Sequence, residues 1–424
     1  MINVKTDFGA KGDNTDDTDA LHAAFEAAYG SWEEPHGGSE GAFRNQSVYF
    51  PNGWYIINEP IRLRSVMGAH IFGESRKATI QNNQTGGSIF ITNGFMYSKV
   101  ERLSLSLTGG GEGVCFDMNW DNTGSASLQS NTFADVGMGG GGFGLKIGHG
   151  GYMGSEISLL NCYLGSHSVA GLYMGNYNAI AISMIGGNIA QCGKGIWVEA
   201  GGGMALTGTG MQLNDVDIHI QNGVQDGWDI SGVRTESPNV FLMAQPDSRI
   251  VVAGCTQTGG KHFLKDCGSD ITVLNSYSGS GVLHGAGKLN VINSRFDNPN
   301  WNQWYGSIGS QPSALPVVLA STDMLLTAAQ SGTVFVNGDT VTFALPRDTT
   351  TPHRVPAGTW FGFTVGSSCL LTIEGYASSY VVGDYLELIC LVDGGSVWIP
   401  RSMFGTWTPA YDGFSQRKPR GSFP

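Results

Sequence analysis

ISMIGGNIAQCGKGIWVEAGGGMALTGTGMQLNDVDIHIQ, residues 182–221, carries two copies of one pattern. A short apolar strand runs into Gly186 or Gly208, and a second alternating segment follows, GIWVE from 195 and DIHIQ from 217. Outward from there, between residues 155 and 298, the strand-ending Gly or Asn falls at Asn161, Gly186, Gly208, Gly232, Gly254, Asn275 and Asn293. The steps are 25, 22, 24, 22, 21 and 18 residues, a mean of 22. Such spacing fits one coil of a parallel β-helix stacked on the next. Gly and Asn suit the corner because both tolerate a left-handed backbone. Leucine-rich repeats have a similar period, but their Leu/Asn consensus is missing, and a propeller needs roughly 40 to 50 residues per blade.

The second segments align as GLYMG, GIWVE, DIHIQ, NVFLM and KHFLK, beginning at 171, 195, 217, 239 and 261. Their second and fourth residues are Leu172/Met174, Ile196/Val198, Ile218/Ile220, Val240/Leu242 and His262/Leu264. Strand side chains alternate between faces, so these nearly all-apolar columns point inward. The third residues, Tyr173, Trp197, His219, Phe241 and Phe263, are then expected to form an outward ladder of rings.

Composition agrees with this reading. The 424 residues include 64 glycines, about twice the usual share of roughly 7%, with no G-X-Y period. Glycine spread this way marks many turns between many short strands, an all-β chain. A net charge of -12 argues against a nucleic-acid partner, and against a strongly anionic substrate unless local Lys and Arg offset the field. The seven cysteines (115, 162, 192, 255, 267, 369, 390) form no CxxC pair and read as buried free thiols. MINVKTDFGAKGD lacks the apolar region of a signal peptide, and no apolar run approaches a membrane span of 18 residues. The expectation is a protein made in the cytoplasm that leaves by lysis, inside a particle or free outside the cell.

The ends differ from the repeat. Thr15, Asp16 and Asp17 offer capping oxygens for a helix from about Thr18, with Ala20, Leu21, Ala24, Phe25 and Ala28 as its apolar stripe. The acidic run Asp13, Asp16, Asp17 and Asp19 is assigned to capping and turns in preference to a metal loop. A helix followed by strands suits a lid on the open end of the stack. After a Ser/Pro/Gly linker, alternating strands broken by Gly and Asp predict a β-sandwich. The predicted organisation is a cap and first coils at 1–80, helix at 81–306, linker at 307–318, sandwich at 319–405 and tail at 406–424.

DFGAKGDNTDDTDAL, then VYFPNGWYII and IFGES, resembles the opening of the pectate-lyase-like superfamily, which includes polygalacturonase relatives and many phage tailspikes. The likeness covers residues 3 to 80 and implies a right-handed parallel β-helix. The C-terminal segment resembles small β-domains at the ends of phage tail fibres and spikes. Together these imply a virion protein, forming a homotrimer and acting on bacterial polysaccharide. Many tailspikes carry a separate particle-anchoring domain before the cap, and here the cap begins at Met1: either the chain is trimmed, or another tail or virion protein attaches it, or it is not on a tail.

No nucleophile elbow, HExxH, P-loop or Cys/His metal spacing is present, and no metal or cofactor is expected. Glycan hydrolysis needs paired carboxylates beside a sugar-binding groove. Glu199 and Asp217 are expected to project outward from neighbouring coils, with Asp215 in reserve. Coils ~4.8 Å apart and a two-residue offset of ~6.8 Å put them roughly 8 Å apart, inside the ~6.5–9.5 Å window of an inverting glycosidase. Tyr173, Trp197, His219 and Phe241 would bind sugar, or pack against neighbouring protomers. Asp229, Arg234 and Glu236 should also face outward, Asp229 and Arg234 as sugar-binding candidates and Glu236 as a further catalytic one, where Arg234 and Glu236 either bind sugar hydroxyls or a carboxylate, or make a surface ion pair. The leading expectation is a tailspike-like polysaccharide depolymerase cutting capsule, exopolysaccharide or O-antigen by hydrolysis. The alternatives are a non-catalytic glycan-binding tail fibre, and a lyase with His219 as base.

Overall fold

The computed structural model describes residues 1–36, 45–108, 110–148, 154–222, 227–245 and 248–298, then Leu345 and the strands between Asn302 and Pro409. The chain divides into two compact units, Met1–Leu283 with Ile292–Asn298, and His284–Val291 with Pro299–Pro424.

The first unit is a parallel β-helix. One coil gives its plan: Ile182–Ile185 on a first face, Asn188–Ala190 on a second and Lys194–Ala200 on a third. The next coil repeats it as Met204–Thr207, Gly210–Gln212 and Val216–Ile220, and all three pairings between the coils are parallel. The second face alone runs through twelve strands, from Asp13–Asp16 to Arg295–Phe296. Stacking places like on like. Met184, Leu206, Ile230, Val252 and Val273 are successive partners inside the first face, all buried. Each such side chain contributes about 1.5–3 kcal/mol by leaving water.

The Gly/Asn column is the hinge between the first and second faces. Asn161, Gly186, Gly208, Gly232, Gly254, Asn275 and Asn293 all have φ between 48° and 65°, as the repeat predicted. Their N–H groups climb the stack, that of Gly208 donating to the Ser231 carbonyl (2.9 Å) and that of Gly232 to the Ala253 carbonyl (2.9 Å). The corner therefore leaves no orphaned donor at these positions.

The helix Thr18–Tyr29 buries Leu21, Ala24, Phe25, Ala28 and Tyr29, while Ala20 is only half-buried. Its caps differ from expectation. Asp16 Oδ1 accepts from the Thr18 N–H (3.0 Å), whereas the Asp17 carboxylate turns back to the N–H groups of Lys11 (2.7 Å) and Gly12 (3.0 Å). Phe25 lies 5.5 Å edge-on to Phe90, so the lid packs on the coils through rings. Cys115, Cys162, Cys192, Cys255 and Cys267 are buried free thiols, as expected. Cys369, and the side chain of Cys390, lie outside the described residues. Among the described residues no helix is long and apolar enough to cross a membrane.

In the second unit, Val318–Ala320, Gly332–Val336, Trp360–Val365, Tyr385–Cys390 and Trp398–Phe404 form one five-stranded sheet. A second has Met324–Leu325, Thr340–Ala344, Leu370–Ile373, Ala377–Ser379 and Thr408–Pro409. Leu345, Phe363, Ile373 and Leu388 are buried, while most other side chains of these strands, most of the linker expected at 307–318 and nearly all of the tail lie outside the described residues.

Candidate functional site

The third face stacks Phe143–Ile147, Ala170–Gly175, Lys194–Ala200, Val216–Ile220, Val240–Ala244 and His262–Cys267 in parallel. Its register makes an inward column of Leu145, Leu172, Ile196, Ile218, Leu242 and Leu264, and an outward one of Lys146, Tyr173, Trp197, His219, Met243 and Lys265. Tyr173, Trp197 and His219 are thus neighbours on the outer side of the coils, but the exposed ladder is corrected: Trp197 and His219 are half-buried, and Tyr173 is buried in a cluster with Val114, Phe143 and Ala170.

Phe241 and Phe263 are not on it. Both are fully buried, with ring centroids 5.0 Å apart. His219 pairs with Met243, so the segments from 239 and 261 are two residues out of the expected register. A second cause is local. Where each third-face strand begins, two successive residues point inward and alternation breaks. Gly144, Gly171 and Gly195 occupy the first of those places, followed in register by Asp217, Phe241 and Phe263. A Cβ at Gly195 would stand 2.6 Å from the Asp217 carbonyl, which is why glycine suits that entry.

Asp217 is therefore a correction as well. It is fully buried instead of outward, and its carboxylate accepts from Asn214 Nδ2 (2.8 Å), Ser237 Oγ (2.5 Å) and Thr235 Oγ1. Burial pushes its pKa up to about 6 against the pull of those hydrogen bonds. Asn214 ties the same corner to the chain through the Cys192 N–H (2.9 Å) and the Ile189 carbonyl (3.1 Å). The environment holds a coil corner and offers no face to a polymer.

Glu199 does face solvent. Met174 pairs with Val198 but Gly175 pairs with Ala200, so Glu199 is the extra residue of a β-bulge. Bulges re-aim side chains next to functional surfaces. Here the carboxylate is turned back along the ladder, where Oε2 accepts the Tyr173 hydroxyl. Phe143, Tyr173 and Trp197 form a run of edge-on rings, with centroids 5.5 and 5.0 Å apart. Lys146 Nζ lies 4.8 Å from the Phe143 centroid, and Lys194 Nζ 3.6 Å from that of Trp197. Trp197 Nε1 donates to Gln221 Oε1 (3.2 Å). His219 Nδ1 is buried with no hydrogen-bond partner among the described residues. Burial, and then the Lys194 ammonium, hold His219 below the usual imidazole range. Burial, and then the bond to Glu199, raise the Tyr173 hydroxyl and keep it a donor.

The other candidates lie elsewhere. Asp215 is exposed at the corner before the third face, where a shallow groove is lined by Ser166, Ser168, Gln191 and Leu213. Asp229 is exposed on the first face, beside an open groove with Ile182, Met204 and Ala205. Arg234 and Glu236 form an exposed ion pair of 2.6 Å on the second face. These side chains do face outward, but they do not converge with Glu199. Lys146 and Lys194 went unread in the sequence. GFGLKIG at 142–148 matches VAGLYMG at 169–175 and carried the signal for one more coil. Among the described residues no cluster of His, Cys, Asp or Glu is arranged to hold a metal.

Residues 1–239 match the family model described as rhamnogalacturonase A/epimerase, pectate lyase-like. No curated protein matched the chain. Among solved structures, the catalytic unit of a GH87 alpha-1,3-glucanase from Streptomyces thermodiastaticus is similar over 74% of this chain and 66% of its own, at 15% identity and a TM-score of 0.46. The chain thus spans just under two thirds of that glucanase unit. ORF18 of Geobacillus virus E2 is similar over 96% of this chain and 76% of its own, at 13% identity and a TM-score of 0.45. The N-terminal fragment of bacteriophage Phi29 gene product 12 is similar over 81% and 78%, at 12% identity and a TM-score of 0.36.

Proposed function

From the premise that the chain belongs to the rhamnogalacturonase A/epimerase, pectate-lyase-like family, we propose that its third face binds and cleaves a bacterial surface polysaccharide. One observation carries the reading: the half-buried Trp197 ring, packed on the buried Tyr173, stands beside an exposed carboxylate that a bulge has turned towards that tyrosine. Sugar rings lie on aromatic faces, and a carboxylate beside them serves proton transfer at the glycosidic oxygen. In this proposal Trp197 and His219 bind the chain, Tyr173 positions Glu199, and Glu199 moves the proton. With Asp217 enclosed, Glu199 loses the partner expected for the paired-carboxylate form of hydrolysis.

A second reading, cleavage by elimination, gains support from Lys146 and Lys194. Two ammonium groups over the ladder supply the local positive charge that the acidic chain otherwise lacks, and they can neutralise a uronate carboxylate. His219, held neutral, is then the base. The setting we propose, carried by the resemblance of the cap and the C-terminal segment, is a homotrimer on a phage particle. Mass in solution tests the trimer.

The experiment for function is incubation with a panel of capsular, exopolysaccharide and O-antigen chains, with the products sized. Fragments without ultraviolet absorbance indicate hydrolysis, and an absorbing unsaturated end indicates elimination. Retention of a polysaccharide without fragments gives the non-catalytic fibre. A chain that neither retains nor cuts any of them sinks the proposal.

A further inference from the structure

The second face carries another built surface. One outward column runs, in register, through Trp54, Thr79, Ser104, Gly137, Tyr163, Asn188, Gly210 and Arg234. Three glycines on this face leave room for three planar side chains to lie flat. A Cβ at Gly137 would stand 3.2 Å from Nη2 and 3.6 Å from Nε of Arg76, so the guanidinium reaches over Gly137. A Cβ at Gly165 would overlap the hydroxyl and ring of Tyr163. Gly165 is accordingly buried although it lies on the outer side of the strand, and the equivalent Gly139 of the preceding coil is not. A Cβ at Gly210 would stand 2.8 Å from Asn188 Oδ1.

Guanidinium, phenol and amide thus follow one another on successive coils, ~4.8 Å apart. Their hydrogen-bonding capacity is largely unspent. Arg76 approaches only Asp135, at 3.7 Å, and the Tyr163 hydroxyl has no partner among the described residues; Asn188 Oδ1 has none either but is closed off from solvent, which leaves the Asn188 Nδ2 donor. One face of the Tyr163 ring covers Gly165, and the half-exposed side chain presents the other to solvent. Trp54, also exposed, stands four strands away in the same column.

We infer that this strip is a second polysaccharide-binding site, distinct from the third face, with a sugar ring on Tyr163 and its hydroxyls on Arg76 and Asn188. A flat apolar ring face bordered by unspent donors fits a pyranose, whose C–H face and rim of hydroxyls need both. The choice of a glycan as occupant rests on the reading of the third face. The strip would hold a long polymer while a different stretch of it occupies the ladder, so affinity for long chains exceeds what either site gives alone.

The test uses the full chain in native gels cast with the polysaccharide that retards or is cut by the wild type. Tyr163→Ala and Asn188→Ala are compared with Trp197→Ala, each first matched to wild type in thermal melting. Tyr163→Ala is expected to weaken retardation roughly tenfold, with release of fragments from short oligosaccharides unchanged. Tyr163→Phe, which keeps the ring, should lose less. Wild-type retardation by folded Tyr163→Ala and Asn188→Ala overturns the second site, and the third-face reading then stands or falls on Trp197→Ala alone. Loss in Tyr163→Ala with none in Trp197→Ala keeps this site and removes the other. No retardation of wild type by any chain removes both.

Discussion

The Tyr173 hydroxyl donates to Oε2 of Glu199, one coil further along, across the β-bulge that sets Glu199 apart from its strand. The contact joins the ring ladder to the outward carboxylate nearest to it. It also fixes direction, because a hydroxyl whose proton is held by its surroundings makes the carboxylate the acceptor. Whatever Glu199 does to a glycan begins from that arrangement.

Glu199→Gln should lower fragment release by about 100-fold or more, the usual loss when a proton-transfer group is removed, and leave retention of the polymer intact. Tyr173→Phe should give a smaller loss, since the carboxylate stays but its orientation is released. Rates and gel retardation, measured on the same preparations, separate the two effects.

Trp197→Ala should weaken polymer binding by about 1 kcal/mol or more, as for other well-packed aromatic anchors. Lys194→Met removes the ammonium 3.6 Å from that ring. A substrate bearing carboxylates should then bind less well, whereas a neutral one should bind as before or better. Titration of each variant against matched neutral and acidic chains reads this out.

His219 is held below the ordinary imidazole range by burial and by Lys194. It should stay neutral until the pH falls under the ordinary imidazole value of about 6.5. Lys194→Met removes the second cause, so the midpoint of His219 should rise. Histidine ring resonances followed by NMR across pH 4 to 8 check both statements, and an unmoved midpoint contradicts the second.

Burial raises the Asp217 carboxyl from its ordinary 3.8 to about 6 in the folded chain. The folded chain therefore holds this proton more tightly than the unfolded one. The stability it contributes is full below the unfolded value and is lost as pH rises through about 6. Asp217→Asn should flatten that part of the stability profile with the fold kept. Asp217→Ala strands Asn214, Thr235 and Ser237 without their acceptor and should cost about 1–3 kcal/mol. Chemical denaturation at several pH values measures each.

At Gly208 nothing lies within 4 Å of an added Cβ, yet φ is 63°. Gly208→Ala should thus cost about 1–2 kcal/mol from backbone strain alone. Gly208→Asn should cost less, because Asn161, Asn275 and Asn293 already fill that column. Gly187→Ala meets the Cys162 carbonyl and should not give a folded chain. Melting temperatures of the three variants rank the costs.

The left-handed column was legible because backbone sterics leave few residue types for such a corner, so Asn161 and the residues below it recur in the letters themselves. The inward pairs at 172/174, 196/198 and 218/220 were legible through alternation. From residue 239 on, alternation misled. His219 to Met243 is 24 residues, two more than Trp197 to His219, and no letter marks where the surplus lies. Nor does alternation hold at strand entry, where Asp217 and Phe241 turn inside with their neighbours. The three glycines at 144, 171 and 195 were the available sign that this place faces the crowded interior. Tyr163 and Arg76 were invisible for another reason: what makes them a surface is the absence of side chains at Gly165 and Gly137, and Gly137 meets Arg76 only because the coils stack.

The buried sulfurs have a consequence outside glycan chemistry. Desolvation lifts the Cys162, Cys192 and Cys255 thiols to about 11 and those of Cys115 and Cys267 to about 12. Alkylating reagents and oxidants consume thiolate, so these five sites are silent while the coils stay closed. Cys115, Cys162 and Cys192 lie on three different coils and Cys255 and Cys267 share a fourth, so their rates of labelling become clocks for the opening of four storeys.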